Sequence, residues 1–395
     1  MEISELGEFG LIDRLAKDIT TKNESTIRGI GDDCAILAPT EGMRTVVTTD
    51  LLMEGVHFDL TYVPLRHLGY KAVMVNLSDV FAMNARPQQV TVSLAISSKF
   101  KVEDIEDLYA GMRLACEKWG VDIVGGDTTA SLTGLAISIT AIGEARSEDL
   151  VLRSGAQPTD LICVSGNLGA AYMGLQLLER EKAIYNDQVE EARRSGSKEQ
   201  MEALREAQPD FSGREYILER QLKPEARGDI IEALRKAGIH PTSMMDISDG
   251  LSSELMHICR QSQTGCRIYE ERLPLDYQTA AMAEELNLNV STCALNGGED
   301  YELLFTVPLS MNDTVSALED IHVIGYITEQ DKGMEVPIID EYKKIVEKYD
   351  KRGAKTFGEY ERFEFYEQAK KCYCILQSGE TAIYANIILQ KGVVK

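Results

Sequence analysis

Acidic residues recur in this chain at Gly-, Ser- or Thr-containing turns beside apolar runs. They read Gly31-Asp32-Asp33, Thr48-Thr49-Asp50, Leu77-Ser78-Asp79, Gly125-Gly126-Asp127, Asp246-Ile247-Ser248-Asp249-Gly250 and Gly297-Gly298-Glu299-Asp300. Carboxylates so widely spread need not be neighbours in space. If they converge, they cannot all stay ionised without compensation. Two unit charges about 4 Å apart repel by roughly 4 kcal/mol at an effective dielectric of about 20. Such a set takes up protons or draws in hard cations. Oxygen ligands without a His/Cys pattern suit Mg²⁺ rather than Zn²⁺. Mg²⁺ held by carboxylates at Gly-rich turns usually serves a polyphosphate.

Each motif also has a plainer reading. Gly29-Ile30-Gly31-Asp32-Asp33 is by itself an Asp-rich turn. Thr49 and Asp50 offer a hydroxyl and a carboxylate at the end of a strand expected over 45–49, and His57 follows in Gly55-Val56-His57-Phe58, where a lone histidine is often a structural donor. Asp79 is sharper. It lies within an otherwise apolar helix expected over 66–84, where an ionised carboxylate costs several kcal/mol unless paired or bound to metal. Asn76, three residues earlier, shares its face. Asp127 follows two glycines at the end of a strand expected over 121–124, a place where ligands gather in α/β sheets. Arg153, in the turn Arg153-Ser154-Gly155-Ala156, could clamp a phosphate.

In Asp246-Ile247-Ser248-Asp249-Gly250, Ser248 or Asp249 would serve as an ordinary helix N-cap. Two carboxylates and a hydroxyl exceed what capping requires, and a helix N-terminus also suits phosphate. Gly166-Asn167-Leu168-Gly169 lacks the G-K-[ST] ending of a P-loop and reads as a tight turn.

The elements that must carry these residues alternate between strand and helix. Strands are expected over 90–96, where Val90, Val92, Leu94 and Ile96 alternate with smaller or polar residues, and over 135–142, 161–164, 243–247, 266–269 and 301–307. Helices are expected over 103–118, 229–237 and 251–262. The order implies a mixed α/β (α+β) protein of two domains. An N-terminal domain spans 1–148 and a second spans 149–334, interrupted by a polar helical insertion at about 179–215; a divergent extension occupies 335–395.

At 395 residues and a net charge of −23, the chain is large enough for two cores and too acidic for non-specific nucleic-acid binding. An acidic protein can still bind anionic nucleotides where cations or local Lys/Arg invert the sign. The eight cysteines are scattered without zinc-type spacing. Met1 to Gly10 is acidic and lacks a signal-peptide pattern, and no run reaches the roughly 20 apolar residues of a membrane span. Cytoplasmic residence is the expectation.

Taken in order from about residue 7 to about 330, these motifs resemble the thiamine-monophosphate kinase family of the AIR synthase superfamily. The resemblance implies a two-domain AIR synthase-like fold whose N-terminal domain forms a homodimer, with nucleotide bound near the subunit interface. It implies ATP-dependent phosphorylation of thiamine monophosphate to thiamine diphosphate with several Mg²⁺ ions, and neither nucleic acid nor membrane as partner. Metal ligation would fall to Asp33, Thr48, Thr49, Asp50, Asp79, Asp127, Asp246 and Asp249. ATP contacts would fall to Gly126, Asp127, Arg153 and Ser248, and substrate contacts to His57 and Glu299. Members usually end in a Gly-aromatic segment that stacks on thiamine. Here the C-terminus is longer, and Phe357 and Tyr360, flanking Gly358, are the candidates.

No covalent nucleophile or general base is expected, because the acceptor is a phosphate oxygen already anionic at neutral pH. The rival readings are another ATP-using enzyme of the superfamily and a non-catalytic nucleotide-binding protein.

Overall fold

A computed structural model of the chain describes residues 3–30, 34–196, 198–206, 209–335 and 375–376. They form two compact units, one of residues up to 150 together with 170–228, the other of 151–169 together with 229 onward.

The first unit begins with α1 (Ile3–Ala16), the short strands β1 (Thr26–Arg28) and β2 (Ile36–Leu37), and β3 (Met43–Met53). There follow α2 (Leu65–Ala82), β4 (Arg86–Ser97), α3 (Val102–Trp119), β5 (Asp122–Ser131) and β6 (Ala136–Arg146). The last four long strands make one sheet in the order β3-β6-β4-β5, with β4 and β5 parallel and the other pairs antiparallel. Alternation dictates the layering. Val90, Val92, Leu94, Ile137 and Ile139 are buried on one face, whereas Val47, Leu51 and Met53 are exposed on the edge strand β3. Helices α2 and α3 touch backbone to backbone. A Cβ on Gly69 would lie 1.9 Å from the Leu108 carbonyl oxygen, and one on Gly111 would lie 1.8 Å from that of Arg66.

Two strands run further than their sequence implied. Asp50 sits inside β3 rather than at its end, and Gly125-Gly126-Asp127 lies inside β5. Ladder pairing carries both strands through the turn-like residues, since β4 supplies partners for Gly125, Gly126 and Asp127 in succession.

The unit is completed by α4 (Ala170–Ser195), α5 (Lys198–Glu206) and α6 (Glu215–Leu222). The polar stretch 179–215 therefore continues a helix whose first turns are buried, at Ala170, Ala171, Met173, Gly174, Leu177 and Leu178. It groups with the first unit, whereas the sequence implied that it interrupts the second. The ties are specific: the Tyr62 hydroxyl donates to Glu179 (2.6 Å), Lys182 Nζ to Asp59 (2.6 Å), and the Tyr70 hydroxyl to Glu225 (2.8 Å).

The second unit contains β7 (Leu161–Ser165), α7 (Gly228–Lys236, which starts at the boundary), β8 (Ser243–Asp246), α8 (Leu251–Ser262), β9 (Thr264–Ile268), α9 (Tyr277–Glu285), α10 (Val290–Asn296), β10 (Leu303–Val307), α11 (Asn312–Val315), β11 (Ile321–Glu329), β12 (Met334–Glu335) and β13 (Ile375–Leu376). The sheet order is β13-β12-β9-β11-β7-β10-β8, antiparallel except for β12 on β9. Strands β7, β8 and β10 are buried at every position; β7 and β10 accordingly read as mostly apolar runs, whereas β8 also buries Ser243 and Asp246 at its ends. Ile162, Val164, Leu168, Met245, Leu255, Ile258 and Leu304 share one core. Helices α1, α9 and α10 and strand β11 were not evident from sequence. Asp33, Phe357 and Tyr360 lie outside the described residues.

Candidate active site

The first unit assembles a pair of carboxylates from a strand and a helix. In β3, Thr48 and Asp50 share one face by alternation, and Thr49 takes the other. Asn76 and Asp79, one turn apart on α2, meet the first pair. The Thr48 hydroxyl donates to Asp79 Oδ2 at 2.5 Å, and the Asp50 backbone N–H donates to Asn76 Oδ1 at 3.1 Å. Asn76 is fixed in turn by donating its amide to the Ala72 carbonyl at 3.0 Å. Burial pushes the Asp50 carboxyl above the usual carboxylate range, and the charge of Asp79 adds to the push while His57 opposes it. His57 lies in the turn after β3, where its Nδ1 accepts the Met53 N–H at 3.0 Å. The ring is otherwise exposed.

Thr49 does not join this group. Its hydroxyl donates to the Ile139 carbonyl and accepts from Thr140, each at 3.1 Å. Gly126 and Asp127 lie on β5, at the opposite edge of the sheet from β3, about 14 Å away by ordinary strand spacing. Gly126 has no room for a side chain, because a Cβ there would lie 1.8 Å from the Val92 carbonyl oxygen. Asp127 borders a cavity of about 770 Å³ with Gly125, Gly126, Thr128, Ile30 and Cys34, walled by apolar residues of α1 and β5. The sequence signal for this wall was the apolar spacing in α1, which is weak.

The second unit holds its acids on two interlocked loops. Asp246, 4% exposed, ends β8 opposite Leu303 of β10. Beyond it the chain 247–249 docks on 299–302: Ile247 N–H donates to the Glu302 carbonyl, Tyr301 N–H to that of Ile247 (both 2.8 Å), and Glu299 N–H to that of Ser248 (2.7 Å). Two glycines permit the fit. Gly250 (φ +118°) and Gly298 (φ +73°) have the positive φ that L side chains rarely adopt, and a Cβ on Gly298 would sit 2.7 Å from the Ser248 oxygen. Glu299 and Tyr301 also have positive φ, at 57° and 52°, so this segment is held in a sparsely populated conformation. Ser248, Asp249 and Glu299 thereby come together beside Asp246. Arg153 lies close enough to His257 on α8 for its charge to act there. Burial lowers the pKa of His257 on α8, and the charges of Arg153 and Arg260 lower it further against Asp249.

Two of the acids around the diglycine are structural. Asp300 Oδ2 accepts the Gly169 N–H at 2.8 Å, and Glu302 Oε2 accepts the Ser165 hydroxyl at 2.5 Å. Both bonds brace the turn 166–169, where Gly166 (φ +53°) and Gly169 (φ +78°) bear out the tight-turn reading. One acid was missed altogether. Glu254, in the first turn of α8 and 1% exposed, accepts the Asp249 N–H at 3.1 Å. Burial raises its carboxyl to about 8, with the charges of Asp249 and Asp246 adding to the shift.

Among the described residues no three His, Cys, Asp or Glu side chains form a metal-binding group. The donor chemistry still fits a hard cation. The first unit presents only oxygens at Thr48, Asp50 and Asp79, and the half-buried Asp50 and Asp79 repel each other, which a divalent ion would relieve.

Comparison with known proteins agrees with this chemistry. The profile of the AIR synthase related protein, N-terminal domain, matches residues 31–145, and that of the RbsD / FucU transport protein family matches 305–394. The thiamine-monophosphate kinase of Bacillus subtilis (strain 168) is 32% identical over 351 residues, covering 87% of this chain and 98% of its own. The crystal structure of thiamine-monophosphate kinase from Stenotrophomonas maltophilia K279a superposes with a TM-score of 0.68 at 30% identity, covering 84% of this chain and 96% of that one. A structure described as AaThiL complexed with AMPPCP and TMP gives a TM-score of 0.63 at 34% identity, over 85% and 95% of the two chains. Near-full-length identity above 30%, on a matching fold that carries the acid motifs in order, shows that this chain belongs to the thiamine-monophosphate kinase family.

Proposed function

We propose that this chain transfers the γ-phosphoryl group of ATP to thiamine monophosphate, giving ADP and thiamine diphosphate. The observation that carries the reading is the relative solved with AMPPCP, an ATP analogue, and TMP, read here as thiamine monophosphate; the alignment spans 95% of that chain. Phosphoryl transfer needs positioning and charge screening more than a strong base. The acceptor is a phosphate oxygen already anionic at neutral pH, so no side chain need act as nucleophile.

Thr48, Asp50 and Asp79 in the first unit, and Asp246 and Asp249 in the second, would hold Mg²⁺, with Asp33 and Asp127 as further ligands; Thr49, bonded to Ile139 and Thr140 on the opposite face, is left out. Bound Mg²⁺ supplies charge neutralisation on the polyphosphate oxygens. The chain's own residues do the rest. The Thr48–Asp79 bond and the Asn76 contact fix the carboxylates of β3 and α2 in one orientation. The apolar cavity beside Gly126 and Asp127 suits the base of ATP. Arg153 and Ser248 would contact its phosphates, and His57 and Glu299 the thiamine substrate. Tyr360 or Phe357 would stack on the thiamine rings.

A homodimer is part of the reading. The uncovered sheet face with Val47 at 64% and Leu51 at 55% exposure is apolar surface that a second copy would cover. Cytoplasmic residence is proposed alongside; no described helix is long and apolar enough to cross a membrane.

The test is direct. Chain, ATP, Mg²⁺ and thiamine monophosphate are incubated, and ADP and thiamine diphosphate are quantified. Equimolar products are expected. ATP binding without thiamine diphosphate formation would favour a nucleotide-binding protein that does not turn over this substrate.

A further inference from the structure

The turn that carries Arg153 is held by a side chain from another element. Ser262 is the last residue of α8, and its hydroxyl oxygen accepts the backbone N–H groups of Gly155 at 3.1 Å and of Ala156 at 3.2 Å. A helical serine commonly returns its hydroxyl to its own backbone. Here the oxygen takes two donors from a segment more than a hundred residues earlier. The flanks of the turn are tied to the sheet instead. The Met244 N–H donates to the Leu152 carbonyl at 2.9 Å, and the Gln157 N–H donates at 2.9 Å to Asp160, which is buried. Asp160 also accepts the Thr242 hydroxyl at 2.7 Å. Gly155 (φ +123°) closes on Thr242 as well, since a Cβ there would lie 2.3 Å from its carbonyl oxygen.

The sheet therefore fixes the ends of the turn, and Ser262 fixes its middle relative to α8. What they hold is an arginine kept clear of acids: Arg153 is exposed and enters no ion pair among the described residues. In a chain of net charge −23, such a guanidinium is open to an anion. Helix α8 runs from the Asp249 loop to Ser262 in 12 residues, about 18 Å. His257, near its middle, feels the charges of both Arg153 and Asp249. We infer that Ser262 is a positioning residue for ATP: by pinning Gly155 and Ala156 to the end of α8, it holds the Arg153 guanidinium where the nucleotide's phosphates dock. This role rests on the proposed contact between Arg153 and those phosphates. A clamp binds well only in the right place, so loosening the turn weakens binding although the charge remains.

The experiment is a double-mutant cycle of Ser262→Ala and Arg153→Ala in the full chain, read as ATP affinity by calorimetry with Mg²⁺ and without thiamine monophosphate. Arg153→Ala should weaken ATP about 10–100-fold, as for a charge-assisted bond, and Ser262→Ala about 3–10-fold, as for an ordinary one. The double variant should bind ATP no more weakly than Arg153→Ala, because Ser262 acts through the arginine. Ser262→Thr, which keeps the hydroxyl, should recover most of the affinity. The Gly155 bond is exposed and the Ala156 bond only partly buried, so water can replace the hydroxyl and Ser262→Ala should fold. In steady state Ser262→Ala should raise KM for ATP more than it lowers kcat. Without nucleotide, the His257 pKa, followed by ring NMR, should rise in Arg153→Ala and partly in Ser262→Ala, since a displaced cation no longer opposes protonation.

Parental ATP affinity in Ser262→Ala, beside weakened binding in Arg153→Ala, would make Ser262 a brace of the turn and overturn the inference. So would losses that add in the double variant, or a His257 pKa that moves in Arg153→Ala but not in Ser262→Ala. Parental affinity in Arg153→Ala would remove the phosphate contact, and this role with it. A chain that follows the expected cycle yet makes no thiamine diphosphate would overturn the proposed reaction and leave the role of Ser262 standing.

Discussion

The two units present acids in opposite ways. In the first, Asp50 and Asp79 sit on a long strand and a long helix, and side chains orient them: Thr48 on Asp79 at 2.5 Å, Asn76 under Asp50 at 3.1 Å. In the second, Asp246 ends a strand, while Ser248, Asp249 and Glu299 ride on loops held by backbone-to-backbone bonds and by two positive-φ glycines. Regular elements position a group by register, so neighbours can be exchanged at modest cost. Docked loops position it by close approach, so one added methyl displaces the whole segment. The lesson is that equal-looking Asp motifs carry different mutational risks.

The strongest break of this comparison removes the charges. Asp79→Asn and Asp246→Asn should each lower thiamine diphosphate formation by about 10²–10⁴-fold at saturating ATP and Mg²⁺, the loss expected for several kcal/mol of charge stabilisation. Near-normal turnover in either variant would take that residue out of the site. Asn at 79 can still accept the Thr48 hydroxyl, so folding should survive.

Backbone contact comes next. Gly69→Ala would force a Cβ to within 1.9 Å of the Leu108 carbonyl, separating α2 from α3. It should cost the first unit about 3 kcal/mol, at the upper end for overpacking, read as a lowered denaturant midpoint. Gly298→Ala, combining φ +73° with a 2.7 Å approach to the Ser248 oxygen, should cost about 1–3 kcal/mol and reduce activity together with stability. Gly42→Ala is the control, with a positive φ but open space around it, and should cost only about 1 kcal/mol without touching activity. Equal losses in Gly298→Ala and Gly42→Ala would show that the loops are not interlocked as described.

Smaller still is Thr48→Val, which leaves Asp79 without its short hydroxyl bond. A stability change of about 1 kcal/mol is expected, with a larger relative effect on Mg²⁺ dependence than on melting. The mildest probe is chemical. Among the described cysteines Cys34 is exposed beside the cavity, whereas Cys116, Cys163 and Cys293 are buried, with burial raising Cys116 to about 12 and Cys293 to about 11. Brief alkylation at pH 8 followed by peptide mapping should modify Cys34 and spare those three. Rapid labelling of Cys116 would mean that α3 opens.

Much of the site was legible because its signals are local. Alternation in 90–96 and in 135–142 gave strands with one buried face, and the apolar helix with a stray Asp79 marked a carboxylate in need of a partner. The reading of Asn76 and Asp79 as one face followed from helical spacing, and the structure sets both against β3. The extent of β3 and β5 was not legible, because turn-like residues such as Gly125-Gly126-Asp127 were overridden by ladder partners far away in sequence. Nor could the polar segment after 179 reveal that it continues a buried helix, since its anchors, Asp59 and Tyr62, lie more than a hundred residues earlier.

The amino-acid sequence alone determined the kinds of element, the roster of acids and their all-oxygen chemistry, for these depend on side-chain type and short-range spacing. Only the tertiary structure decided which acids meet. Register put Thr48 and Asp50 on Asp79 while sending Thr49 to the other face. Loop docking made Asp300 and Glu302 braces rather than ligands and buried Glu254 behind Asp249. Such choices are made by contacts between distant segments, where backbone approach and burial outweigh anything a local motif can encode.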